Sequence, residues 1–242
     1  MSSEIHKEDQ GLNYGREILA NWASKLKISS VLDVGIGHGS DIDIIKNIHP
    51  NVHCEGIESN IHYANYVSSK GIRVSNINIE RFVFPYPDNS FDFIVANQVL
   101  EHIKEIYWVL DQISRVLEIG GYLYIGVPNL ASFHNRILLM MGRHPTCIKN
   151  SSAHLRGFTK HDLCNFMNSC WANGYELTLF KGSNFYPFSP FIAKYLSKIL
   201  PSMAVTNFFL FKKVANYNGE FIKYPENLET NFYIGKEVHH KL

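Results

Sequence analysis

Three groups of residues in this 242-residue chain carry atoms suited to chemistry. The first lies in residues 31–41, VLDVGIGHGSD, where Asp33 precedes Gly35, Gly37 and Gly39. Glycine adopts positive φ and lets a ligand touch bare backbone. Ser40 and Asp41 then favour a helix start. A strand, a glycine turn and a helix N-terminus together make an anion cradle, because the first helical turn offers unpaired N–H groups at the positive end of its dipole. The spacing is G-x-G-x-G, which departs from the G-x-G-x-x-G of dinucleotide folds. The second group is Glu58, with Ser59 beside it, near the end of HCEGIESN. An acidic residue about twenty positions after the glycines can accept hydrogen bonds from both hydroxyls of a ribose. The third group is His102, His154 and Arg156. Histidine titrates near neutral pH and can take a proton from a hydroxyl, an amine or an acid. A guanidinium can grip a carboxylate or phosphate through two parallel hydrogen bonds. Each group also has a plainer reading: a turn without a ligand, a solvated carboxylate, a histidine bonded to backbone, and a His154–Arg156 pair that holds its loop to the body.

The elements that must position these groups are legible in the apolar pattern. Leu12, Ile18, Leu19, Trp22 and Leu26 mark a leading helix, on which Tyr14 reads as packing and Arg16 as solvated charge, the other reading of both being a reach toward the carboxylate of a bound ligand. Strands are expected at 31–34, 52–57, 72–77, 91–96, 122–127, 175–180 and 206–215. Helices are expected after the glycine turn up to Pro50, at 61–70, from Glu101 and His102 onward until Gly120–Gly121, at 160–173 and at 191–200. Strand–helix alternation of this kind predicts an α/β fold, a doubly wound parallel sheet with right-handed crossovers. Ligands of such sheets lie outside the carboxyl ends of the strands, so the stretch from Asn97 to Val99 should face a bound cofactor.

A further stretch narrows the choice of cofactor. DVGIGHG, Glu58, FPYPDNSFD and NQVLEHI together resemble a class I S-adenosylmethionine-dependent methyltransferase over residues 12 to 181. The resemblance implies a Rossmann-like seven-stranded sheet of order 3-2-1-4-5-7-6 with strand 7 antiparallel. It also implies S-adenosyl-L-methionine as cofactor and S-adenosyl-L-homocysteine as product. Asp33, the three glycines, Glu58, Ser59, Asn78, Ile79, Asn97 and Val99 become candidate cofactor contacts. Asn78 stands where the family often has an aspartate near the adenine amino group, and Ile79 would wall the ring. Glu80 reads equally as a solvated charge or a ligand. Asp92 is implied to be structural. His154, Arg156 and Thr159 are similar to the H-x-R-x-x-T stretch of methyltransferases with small acceptors, some of which decorate surface polysaccharides. His102, His154 and Arg156 are therefore the candidate catalytic residues.

The chain as a whole bounds these readings. A hydrophobic content of 45% and a charged content of 19% suit a globular domain with a sizeable core. The net charge of +1 and the scattered Lys and Arg give no basic stripe of a nucleic-acid binder. The four cysteines have no paired spacing, so they read as free thiols in a reducing cytoplasm. The sequence offers no apolar run near the ~20 residues that span a bilayer, and no metal-ligand cluster, so no metal is expected. One domain is expected over 1–242, with substrate or lid insertions at 129–158 and 182–205 and a loosely ordered tail at 216–242. The 129–158 stretch reads as irregular, with residues 138–141 lining a pocket or packing in the core. The second insertion reads as a lid, a dimer surface or a patch for a membrane-bound acceptor. The function expected is methyl transfer, at oxygen, to a small-molecule, sugar or phosphate acceptor, with the oligomeric state open. The alternatives are a non-catalytic scaffold that keeps the fold, and an NAD-dependent oxidoreductase, which needs the third glycine one residue later.

Overall fold

Strand residues alternate between two cores, and this alternation builds the molecule. The computed structural model describes residues 15–228. Tyr14, the tail beyond residue 228 and, within it, the His239–His240 pair, which is too short a motif to argue for a metal, lie outside them. In chain order the elements are α1 (Arg16–Ala23), β1 (Ser30–Val34), α2 (Ser40–Ile48), β2 (His53–Ile57), α3 (Ile61–Ser69), β3 (Arg73–Ser75), β4 (Phe91–Asn97), α4 (Ile106–Val116), β5 (Leu117–Pro128), α5 (Phe133–Met140), α6 (Lys160–Cys170), β6 (Tyr175–Ser183), α7 (Pro190–Ile199), β7 (Thr206–Lys213) and α8 (Glu220–Lys223). The sheet order is β3-β2-β1-β4-β5-β7-β6. The pairs from β3 through β5 are parallel, and β7 runs antiparallel to both β5 and β6. This is the doubly wound sheet that the alternation and the resemblance lead one to expect.

Side chains two apart on a strand share a face. Val31, Phe93, Val95, Tyr124, Phe208 and Leu210 therefore meet α1, α2 and α3 through Leu19, Trp22, Ile42, Ile45 and Val67. Their neighbours Leu32, Ile94, Ala96, Leu123, Ile125 and Phe209 point the other way, onto α4 and α6. The sheet is covered on both faces, which is why its central strands are almost wholly apolar.

Four details differ from the sequence reading. Leu100–His102 forms a single 3-10 turn, and α4 begins only at Ile106. The Glu80 side chain accounts for that start: its Oε1 accepts the backbone N–H groups of Lys104 (2.5 Å) and Glu105 (3.0 Å) at the N-terminus of α4, where a carboxylate is favoured. Glu80 is thus a helix cap. Second, α4 stops at Val116, and Gly120–Gly121 lie inside β5, with Gly120 at φ 86. Third, residues 129–158 carry the regular helix α5. Fourth, residues 216–228 dock on the body. Phe221 of α8 is fully buried, and the Tyr217 hydroxyl donates to Asp111 of α4 (2.6 Å). The 182–205 insertion forms α7, whose Phe191 (88% exposed) and Tyr195 point outward. Leu139, Met140 and Met141, at the end of α5, are likewise exposed. All four cysteines are free thiols, and among the described residues no helix is long and apolar enough to cross a membrane.

Asp92 interrupts the apolar run of β4 for a structural reason. Its carboxylate accepts the N–H groups of Ser29 (2.7 Å) and Ser30 (3.1 Å), and its own N–H donates to the Ser30 hydroxyl (3.0 Å). These bonds pin the start of β1 to β4. Asp92→Ala is expected to cost roughly 1.5–3 kcal/mol of stability in urea unfolding, the loss of bonds to a charged group, with cofactor affinity unchanged.

Candidate active site

The glycine turn closes at the carboxyl edge of β1. Gly35, Gly37 and Gly39 sit at φ 78, 52 and 79, a region that side chains with a Cβ enter at a cost. At Gly35 a Cβ would also stand 2.8 Å from Val99 Cγ2. The N–H groups of Gly35 and Ile36 donate to the Ile57 carbonyl, which ties the turn to the end of β2. Gly39 caps α2.

Glu58 links this turn to the next helix. One carboxylate oxygen accepts the Gly37 N–H (3.0 Å) and the other accepts the Asn60 N–H (2.8 Å). Asn60 caps α3 through His62 N–H, and Asn76 holds the carbonyls of Glu58 and Ser59. Glu58, Ser59, Asn78, Ile79 and Val99 line a cavity of about 290 Å³. Within it Asn78 has its Oδ1 committed to the Glu80 N–H at 2.9 Å, so its amide group is the part left for a ligand.

A second cavity of about 560 Å³ adjoins the first, and Gly35, Gln98 and His102 line both. Asp33, Gly37, Asn97 and His154 line this larger cavity. Asp33 is buried, and burial together with the Asp41 and Glu58 carboxylates holds its pKa well above the usual carboxylate range. Asn97 donates to Asp41 (2.8 Å), and Arg16 approaches the same carboxylate at 3.8 Å. Arg16 thus lines the cavity wall, in keeping with the second of its two readings and not with a solvated charge. Gly39 lines neither cavity, as its place is the cap of α2.

The candidate catalytic residues divide. His102 and His154 come together with ring centroids 4.7 Å apart. His102 bonds the Ala153 carbonyl through Nδ1 (3.2 Å), and His154 bonds the Cys147 carbonyl in the same way (2.8 Å). Burial lowers the His102 pKa, the Ala153 carbonyl opposes this, and His154 adds to it. Beside them Glu101 is buried, and burial pushes its pKa up to about 8. Arg156 lines neither cavity. Its Nε donates to the Ile103 carbonyl (3.2 Å) and its Nη2 to that of Lys104 (3.0 Å). These two bonds match the tether reading of Arg156: they hold the 153–156 segment against the 3-10 turn.

The family profile described as "Methyltransferase domain" matches residues 6–178. The chain belongs to this methyltransferase family. Among curated proteins, a probable S-adenosylmethionine-dependent methyltransferase of Mycolicibacterium smegmatis is 29% identical over 103 residues, 43% of this chain and 39% of that protein. The match therefore spans well under half of that relative's length. Solved structures share the fold. One is a SAM-dependent methyltransferase from Archaeoglobus fulgidus (TM-score 0.57, 14% identity, 82% of this chain and 94% of that one). Another is Burkholderia thailandensis 1,6-didemethyltoxoflavin-N1-methyltransferase with bound 1,6-didemethyltoxoflavin and S-adenosylhomocysteine (0.55, 13%, 88% and 83%). The [4+2]-cyclase SpnF is a third (0.58, 18%, 83% and 82%), so the fold by itself leaves the reaction open.

In this chain the sequence reading missed Glu101, His38 and Tyr63 as cavity residues, while Gln98 falls in the expected 97–99 stretch. Gln98 adopts φ 57 and bonds Gly126 through its backbone. A left-handed non-glycine residue next to a ligand edge is a mark of function, but it has no signature in the letters alone. His38 and Tyr63 meet at 4.6 Å between ring centroids, a contact that joins the glycine turn to α3. No residue of the 182–205 insertion lines either cavity.

Proposed function

We propose that this methyltransferase transfers the methyl group of S-adenosyl-L-methionine to an oxygen of a small acceptor, a hydroxyl of a sugar or other small molecule, and releases S-adenosyl-L-homocysteine. The observation that carries the reading is the pair of cavities joined at Gly35, Gln98 and His102. The smaller one suits an adenosine: Glu58 for the ribose hydroxyls, Ile79 and Val99 as walls for the ring, and the Asn78 amide at its edge. The larger one takes the methionine end, with Asp33 facing the ammonium group and Arg16 near the carboxylate. The sulfonium then falls near the shared residues, and the His102–His154 pair is left for the acceptor.

The chemistry asks little of the protein beyond placement. The sulfonium already activates the methyl carbon, so an oxygen held in line at ~3–3.5 Å with water excluded gains most of the available rate. An acceptor hydroxyl must also lose its proton, and the His102–His154 end of the cavity is where a lone pair can draw on it.

Incubating the chain with methyl-labelled S-adenosylmethionine and acceptor panels of hydroxyl, amine and carboxylate compounds tests this. Label should appear as an O-methyl group, and His102→Ala should slow turnover by about 10²–10⁴-fold, the range of a lost proton-transfer group. Label on amines alone would overturn the oxygen assignment, and full activity of His102→Ala would overturn the role of that end of the cavity.

A further inference from the structure

In the lining of the larger cavity Glu101, His102 and His154 each offer one ligand atom, and these atoms all lie within 4.8 Å of one another. Glu101 is 1% exposed, and its carboxylate oxygens meet no donor from any other residue. The charged form of a carboxyl group so placed is costly unless a cation meets it. The two histidines offer no donor from their second nitrogens. A carbonyl oxygen only accepts, so the bonds to Ala153 and Cys147 place the proton on Nδ1 in both rings. Each Nε2 then carries a lone pair.

We propose that Glu101, His102 and His154 form a binding site for a divalent first-row transition ion. Two imidazoles and one carboxylate, with positions left open, are a donor set for such ions. An Nδ1–H held by a backbone carbonyl is the usual support behind a metal-binding imidazole. The segment carrying His154 is fixed to Glu101 itself, because the N–H groups of Leu155 (2.7 Å) and Arg156 (3.2 Å) both donate to the Glu101 carbonyl. The Arg156 tether adds to this. Ligands about 2.1 Å from a shared ion lie at most about 4.2 Å apart, so closing the trio onto an ion takes small side-chain movements.

The use of the ion rests on the methyl-transfer reading. Its open positions face the cavity, where an acceptor hydroxyl can bind and have its pKa lowered. The hydroxyl proton leaves to water, the oxygen bonds to the methyl carbon, the methyl–sulfur bond breaks, and its electron pair stays on sulfur. His102 then acts on the acceptor proton through the ion, and the loss expected for His102→Ala is unchanged in direction.

The test titrates the full untagged chain, stripped with EDTA, with Mn²⁺ and reads free Mn²⁺ by electron paramagnetic resonance, with Co²⁺ absorption as a second probe. Wild type should take up one ion per chain. Binding should weaken at least about tenfold in both Glu101→Gln and His154→Ala, and stay unchanged in His134→Ala, whose ring bonds Thr146. Thermal melts show that each variant folds, and either cavity variant alone carries the comparison. Uptake of neither ion by wild type, or uptake that a folded cavity variant keeps, overturns the proposal. S-adenosylmethionine binding is measured separately on the stripped chain. Cofactor binding without metal uptake overturns the ion alone, and metal uptake without cofactor binding overturns the cofactor reading alone.

Discussion

Glu58→Ala is expected to weaken S-adenosylmethionine binding by about 10- to 150-fold. Hydrogen bonds to a charged group contribute roughly 1.5–3 kcal/mol, and each 1.4 kcal/mol is about tenfold in affinity. The Glu58 carboxylate already accepts the Gly37 and Asn60 N–H groups, and each oxygen keeps a further lone pair for a ribose hydroxyl. Alanine therefore removes the ribose contacts and also unpins the glycine turn from α3. Glu58→Gln keeps one acceptor and loses the charge, so it should fall between wild type and alanine. Equilibrium dialysis with labelled cofactor reads the series. Equal affinity in Glu58→Ala and wild type would remove Glu58 from the site.

The second large effect concerns stability. Arg115→Ala is expected to cost about 2–4 kcal/mol. Its guanidinium donates to the carbonyls of Phe84 and Tyr86, to the Asp88 carboxylate and to the Gln112 amide oxygen, at 2.8–3.0 Å through its two terminal nitrogens. These bonds clamp the proline-rich loop before β4 onto α4. Alanine would leave partly buried carbonyls without a donor, which costs about 1–3 kcal/mol for each group left unsatisfied, and the loop relaxes to recover part of that. At about 2–4 °C per kcal/mol for a chain of this size, the melting temperature should drop by about 5–15 °C. Arg115→Lys should recover less than half, because one ammonium cannot reproduce a planar fork. The clamped loop carries Tyr86, whose hydroxyl bonds Gly56 (3.3 Å) and pairs with Ser75 (3.1 Å). The effect therefore reaches β2 and β3, next to Ile57 and Ile77 of the smaller cavity's lining. A lysine variant as stable as wild type would contradict the clamp.

The doubly wound sheet could be read from the chain because strand–helix alternation and handed crossovers leave few topologies, whereas its order and the antiparallel last strand followed only from the resemblance to class I methyltransferases. The glycine turn and Glu58 could be read because each depends on a backbone property or a charge written locally. Other features depend on contacts between distant segments. Arg156 looks like an anion clamp in its H-x-R-x-x-T setting, yet two carbonyls of the 103–104 segment take two of its donors. Glu101 looks like a helix start, but Glu80 caps α4 further along, which leaves Glu101 in a tight turn facing His154. Lys213, at the end of a strand that reads as KK, is buried, and its ammonium donates to the carbonyls of Ser114 (2.8 Å) and Leu117 (2.5 Å). Residues 216–228 read as polar tail, because nothing local says that Phe221 finds a pocket beside α4.

The central claim is that the joined cavities at the glycine turn hold S-adenosylmethionine. Calorimetric titration of the full wild-type chain with S-adenosylmethionine, with NADH run in parallel, tests it most directly. Saturable binding of one S-adenosylmethionine per chain, with no heat from NADH, is the expected result. Binding of NADH in its place, or of neither, would contradict the account.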